Sequence, residues 1–251
     1  MIKAVKEEIY KFNHQKTPLY GLLTLILLMI YSAVTSNISV INLTSAFGAI
    51  EWVPIIIIAV GSAFFSMEYS NHTILLLLAK NRKKSQIYLA KFMVILLYGL
   101  ALTIFSVIMT FLLNFILKDQ KYHWLMIING KTILMGLGLN ILGMLIYLFF
   151  VISMSFMLIM LVKNNAVVIC IGLFWGFFGA SLSTALMKTF SAIISILKWN
   201  PLNMIFISQQ LSKPVYSKVS QLSSLQLILG ITGYSLLFAI LGYLLFRQRR
   251  A

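Results

Sequence analysis

The sequence predicts an all-α, polytopic membrane protein with six transmembrane helices, and three observations carry that reading. Of 251 residues, 61% are hydrophobic and only 10% charged, with a mean hydropathy of +0.97. A soluble domain is about a quarter charged, so this chain cannot cover itself with polar surface. Its apolar residues fall in long runs, each matching the roughly 20 residues that a helix needs to cross about 30 Å of hydrocarbon. Twenty Lys and Arg against five Asp and Glu give +15, and they gather around the runs, as juxtamembrane anchors to anionic lipid do. Nucleic acid is therefore not an expected partner. Six spans use about 120 residues, which leaves no room for a large catalytic domain outside the membrane.

Residues 1–18 carry Lys3, Lys6, Lys11 and Lys16, with Ile2, Val5, Ile9 and Phe12 on one helical face. That pattern predicts an amphipathic helix in the membrane interface, separate from a transmembrane domain over 19–251. Pro18 suits the first turn of the next helix, and 19–36 forms span one. A signal peptide is disfavoured, because its basic region would be long and would contain Glu7 and Glu8.

The remaining spans follow from the apolar runs: 52–67 with Pro54 at its start, 87–117, 133–162, 166–187 and 225–246. The third and fourth exceed a membrane thickness, so tilt or extension into water is expected. A tight turn at Lys163, Asn164 and Asn165 joins spans four and five. Between spans five and six, residues 188–224 mix apolar and polar side chains. There Asn200 and Pro201 supply an N-cap and a proline at the first helical position. This stretch is expected to form two short helices, 189–199 and 201–211, lying on or dipping into the membrane surface. With the N-terminus cytosolic, 13 of the 20 Lys and Arg fall on the inside. The positive-inside tendency then puts both termini in the cytosol.

Chemistry inside a membrane needs polar groups within reach of water or substrate. His14, His72 and His123 lie outside the spans and share no metal-ligand spacing. Glu7, Glu8, Glu51, Glu68 and Asp119 sit at or beyond span ends, whereas ion-coupled carriers usually place carboxylates or unwound helix at the midplane. Gly130-Lys131-Thr132 looks like the tail of a phosphate-binding loop. That loop requires a glycine at position 125, which is leucine here. The three residues are expected to form a turn into span four, with no ATP site on this chain. Cys170, the single cysteine, sits in an apolar run and is expected to be inert packing.

Residues 68–91 are the most informative stretch. Glu68 to Thr73 interrupts the apolar run after span two, and 74–79 is too short to cross. Lys80, Arg82, Lys83 and Lys84 follow, and Ala90-Lys91 opens span three. A short cytosolic helix over 74–79 is expected, with its apolar face on lipid or on a protein.

An amphipathic N-terminal helix, six spans, an acidic residue after span two and a threonine leading a short basic-flanked helix resemble the permease subunit of ABC-2-type transporters. The likeness is greatest to small bacterial permeases that export antimicrobial peptides, bacitracin, lantibiotics or phenol-soluble-modulin-type peptides. Members often carry glycine where this chain has His72. The resemblance implies that Glu68, His72, Thr73, Leu76, Leu77, Arg82 and Lys83 form an ATPase-coupling site. It implies two copies of a separate ATP-binding subunit, with ATP and Mg bound there and no cofactor here. It further implies a second permease copy and short outward-facing helices between spans five and six, which 188–224 matches.

Gly172, Gly176 and Gly179 let span five approach another helix closely, either within the chain or, as the resemblance favours, across a homodimer. Gly136, Gly138 and Gly143 are expected to pack within the chain. Trp52, Trp124 and Trp199 read as interface anchors. Trp175 reads as packing or as part of a substrate path. The function expected is a non-enzymatic permease in a bacterial plasma membrane, exporting amphipathic peptides or other membrane-active compounds past Trp199, Asn200 and Pro201. Alternatives are a self-immunity or drug-resistance pump and a non-transporting scaffold or sensor.

Overall fold

The computed structural model describes residues 2–35, 39–70, 84–117, 122–128 and 130–248, with 68–70 described by backbone alone. Six helices among these are long and apolar enough to cross a membrane: Thr17–Thr35, Ala49–Ser70, Lys84–Leu117, Ile133–Val162, Asn165–Thr189 and Ser224–Gln248. The protein is therefore an all-α polytopic membrane protein. These helices, spans one to six, alternate in direction and define two ends. The basal end holds the start of span one and the end of span six. The distal end holds the short elements between spans one and two, three and four, and five and six.

Spans two and four are buried over most of their length, while the other four bury a minority of theirs. Span four is central and packs against spans two, three, five and six. The outer spans leave Leu27, Ile104, Phe178 and Leu236 exposed, as lipid-facing surfaces require. Lipid offers no hydrophobic drive between helices, so polar contacts and small residues must help to align them. Ser155 Oγ on span four donates to Ile58 O on span two at 3.2 Å, and Asn140 Nδ2 donates to Thr44 O at 2.8 Å.

The ends of the spans show local causes. Span two begins three residues earlier than the apolar run does, so Pro54 lies inside the helix and not at its start. Pro54 has no N–H to donate to the Ile50 carbonyl four residues back, a loss confined to the first two turns of the helix. Lys163 ends span four in the left-handed region at φ 60°, and Asn164 Oδ1 caps span five through Ala166 N at 3.0 Å. Gly130, at φ 77°, turns a minimal hairpin that pairs Ile127–Ile128 with Lys131–Thr132, an element not expected from the sequence. Thr132 Oγ1 then caps span four, accepting from Met135 N at 3.1 Å, so Gly130-Lys131-Thr132 is a turn into that span.

Residues 188–224 break at Asn200 as expected, into short helical stretches over 191–197 and 201–210, but the second is buried on the bundle and does not lie on a surface. Span five runs on to Thr189, and Ser191–Ile193, Ile194–Leu197, Pro201–Phe206, Ile207–Gln210 and Tyr216–Ser220 follow as short 3-10 and α turns. Met204, Phe206 and Ile207 are buried, and Ile207–Gln210 packs against span four. The reason is Gly143. A Cβ there would collide with the Ile207 carbonyl oxygen and meet Ser208 Cα at 3.0 Å, so its absence lets this backbone lie directly on the helix.

Candidate functional site

The residues expected to couple to an ATPase, His72, Thr73, Leu76, Leu77, Arg82 and Lys83, lie outside the described residues. The side chain of Glu68 and the expected helix over 74–79 do so too. What is described is the platform from which that segment departs, at the basal end between spans two and three.

Its centre is an ion pair that no sequence pattern announced. Lys91, 0% exposed within span three, places Nζ 3.1 Å from Glu8 Oε2, and Glu8 Oε1 accepts from Lys11 Nζ at 2.8 Å. Lys91 Nζ also donates to Phe64 O of span two at 3.3 Å and lies 3.9 Å from the centroid of the Phe64 ring. One ammonium thus ties the N-terminal helix Ile2–Asn13 to spans two and three. Burial pushes the Glu8 carboxyl upward, but the charges of Lys91 and Lys11 and their hydrogen bonds outweigh it, holding the group below its usual 4.5.

Aromatic rings enclose the pair. Phe12 meets Phe64 and Tyr98 edge-on with centroids 5.0 and 5.1 Å away, and Phe65 meets Phe156 and Phe246 at 4.7 and 5.4 Å. Tyr98 OH donates to Pro18 O at 2.7 Å, fixing the entry into span one, and Lys84 Nζ donates to Arg247 O at 3.0 Å. The N-terminal helix therefore buries Ala4, Glu8 and Phe12, with Val5 and Ile9 half-buried and Ile2 exposed. The expected face of Ile2, Val5, Ile9 and Phe12 is rotated toward Glu8. An acid at i+4 between Ala4 and Phe12 was the one available signal.

Two of the three glycines of span five expected at a dimer seam, Gly172 and Gly176, meet span two of their own chain. A Cβ at Gly172 would stand 2.6 Å from Ile58 Cγ2, and one at Gly176 would stand 2.6 Å from Ile55 Cδ1, both on span two of the same chain. Gly179 faces Trp175 of its own helix and Leu202, at 3.6 and 3.7 Å. Gly172 and Gly176 thus draw spans two and five together. Gly136 and Gly143 likewise meet their own chain, at Thr44 and at Ile207 and Ser208, whereas Gly138 faces open space. Trp175 packs near Phe150, with centroids 6.0 Å apart.

At the distal end, Trp199, Asn200 and Pro201 open a polar knot. Asn200 Oδ1 accepts from Asn203 N at 2.9 Å, and Asn200 Nδ2 donates to Ser183 Oγ at 3.0 Å. The fully buried Asn203 donates through Nδ2 to Lys198 O and Ser220 O at 2.6 and 2.8 Å. Gln210 Nε2 donates to Leu222 O at 2.9 Å, its Oε1 accepts from Ser220 Oγ at 2.7 Å, and Tyr234 OH donates to Trp199 O at 2.7 Å. These side chains serve carbonyls that irregular backbone would otherwise leave unpaired in a lipid-facing bundle. Asn200-Pro201 was readable as a break; the role of Asn203 and Gln210 was not, because it depends on which distant carbonyls the fold brings near.

The bundle and its two polar clusters define a multi-pass helical membrane protein with a clamped N-terminal helix. Residues 9–250 match the family model described as Protein of unknown function (DUF2705), and the chain belongs to that family. No curated protein matches it.

Proposed function

We propose that this chain is the permease subunit of an ATP-driven exporter, moving amphipathic peptides or other membrane-active compounds out of a bacterial cell. The energy comes from two copies of a separate ATP-binding subunit, a second permease copy completes the pathway, and both termini lie in the cytosol of the plasma membrane. The observation that supports this most is the position of the 68–91 segment relative to the Glu8–Lys91 clamp. Span two ends at Ser70, soon after Phe64, and span three begins at Lys84, two turns before Lys91, so the clamp joins the helices on either side of residues 71–83. A partner pressing on that segment would move the N-terminal helix with both spans, since Lys91 joins all three. Closure of the ATPases would thereby reach the bundle as one rigid displacement.

The test is reconstitution with a candidate ATP-binding subunit. Replacing Leu76 and Leu77 with Asp forces two charges into an apolar contact, at a cost of several kcal/mol, about 2–7 for even an unpaired polar group. Export should fall while ATP hydrolysis continues or the ATPase dissociates. Unchanged export with the ATPase still bound would overturn the reading. In a Cys170→Ser background, required because Cys170 is exposed, a cysteine at Arg82 should react with a membrane-impermeant reagent only from the cytosolic side.

A further inference from the structure

A pocket lies at the distal end, remote from the basal clamp. It has a volume of about 390 Å³ and sits among the end of the Val40–Thr44 helix, the Lys131–Thr132 strand, the first turn of span four and residues 212–215. That volume falls within the range of sites that hold small molecules. Its lining divides in two. Val40, Ile133 and Val215 are apolar, Lys131 and Lys213 are cationic, and no acidic residue lines it among the described residues.

The two lysines differ in their engagement. Lys131 Nζ donates to Leu211 O and Ser212 O at 3.1 and 3.2 Å, which uses two of the three donors of an ammonium and aims the group at the 212–215 loop. Lys213 is half-buried, and its ammonium makes no hydrogen bond or ion pair among the described residues. Burial pushes that ammonium below its usual value, with nothing opposing the push. A half-buried cation without a counter-charge is costly, and an anion would relieve it. In and just before the hairpin that carries Lys131, Ile127 and Leu125 are 70% and 76% exposed, and Val215 of the lining is 62% exposed. Such side chains are at home against acyl chains, which puts the lysines at the depth where headgroups begin.

We propose that this pocket binds an anionic phospholipid, its phosphate held between Lys131 and Lys213 and its first methylenes lying along Val40, Ile133 and Val215. The lipid's charge completes the distal end by neutralising Lys213. Its chain fills the apolar half of the cavity.

The experiment titrates the purified full-length chain, in neutral detergent, with fluorescent phosphatidylglycerol. Saturable binding at one site per chain is expected, undisturbed by phosphatidylcholine and by millimolar inorganic phosphate. Lys213→Gln should weaken binding about tenfold, the scale of one charge-assisted hydrogen bond, without changing thermal unfolding. Val215→Trp, which fills the apolar half, should weaken it as well. Lys188→Gln, an exposed lysine outside the pocket, should leave it unchanged. An unaltered affinity in Lys213→Gln, or an equal loss in Lys188→Gln, would overturn the site in favour of general surface attraction. Displacement by inorganic phosphate alone would overturn the lipid as occupant and leave a free-anion site.

Discussion

Lys91 shares its charge with Glu8 in a place where neither can reach water. Removing one member of a buried pair costs up to about 3–5 kcal/mol, less where other contacts remain, as Lys11 does on Glu8 and Phe64 O on Lys91, whereas replacing both with apolar groups of similar size is far milder. Glu8→Gln and Lys91→Met should each lower the unfolding temperature sharply, and the double variant Glu8→Leu/Lys91→Met should recover much of the loss. Equal losses in all three would mean that the cluster is packing without electrostatic coupling. A pH dependence accompanies it. The Glu8 carboxyl is held below 4.5 in the folded chain, so its contribution is complete above that pH and disappears as pH falls through the lower, folded value. Stability should be flat in this respect above about pH 5 and decline on acidification, and Glu8→Gln should remove that decline. From the sequence, Glu8 counted against a signal peptide and Lys91 counted toward orientation. Neither residue type reveals a partner more than eighty positions away, which only the packing of the N-terminal helix on span three supplies.

At the scale of elements, two glycines make opposite predictions. Gly176 faces the end of a side chain, Ile55 Cδ1, so Gly176→Leu should destabilise by about 1–3 kcal/mol through overpacking, and Ile55→Ala should restore much of it. Gly143 faces backbone at Ile207 and Ser208. Gly143→Ala should cost a similar amount, and no trimming of the Ile207 side chain should rescue it. Thermal unfolding of the four variants separates the cases. Failure of the Ile55→Ala rescue would reopen span five as a contact between copies. The small-residue stripe of span five was legible in the sequence, but its partner was not: a stripe shows that something approaches closely and leaves open whether that helix belongs to the same chain. The Lys163-Asn164 turn was legible because its signal is local, a helix end followed by an N-cap residue.

Across the whole molecule, the six apolar runs were readable to within three residues at each end, since a run long enough to cross the membrane has few alternatives. Which spans would be central was not. Spans two and four have hydropathies of 1.9 and 2.7, bracketing the 2.5 of lipid-facing span three, because lipid and protein interiors ask for the same side chains. Serine, asparagine and glycine within spans two and four, at Ser62, Asn140, Gly143 and Ser155, are the better guide to the centre, since polar and small groups are expensive or useless against lipid. Asn203 carries this argument furthest. It is fully buried with its amide bonded to Lys198 O and Ser220 O, so Asn203→Leu should leave two carbonyls without donors and cost about 1–3 kcal/mol each, loosening the distal end in hydrogen exchange while the basal end stays protected. The same knot sets an order of assembly. Residues 197–210 find their hydrogen-bond partners at Ser220, Leu222 and Tyr234, all of which leave the ribosome later. A nascent chain that has made residues up to 222 could close the Asn203 and Gln210 bonds, but the Trp199 carbonyl would wait for Tyr234, which makes the last span to be synthesised the one that closes the knot and leaves an unfinished chain with an open distal rim.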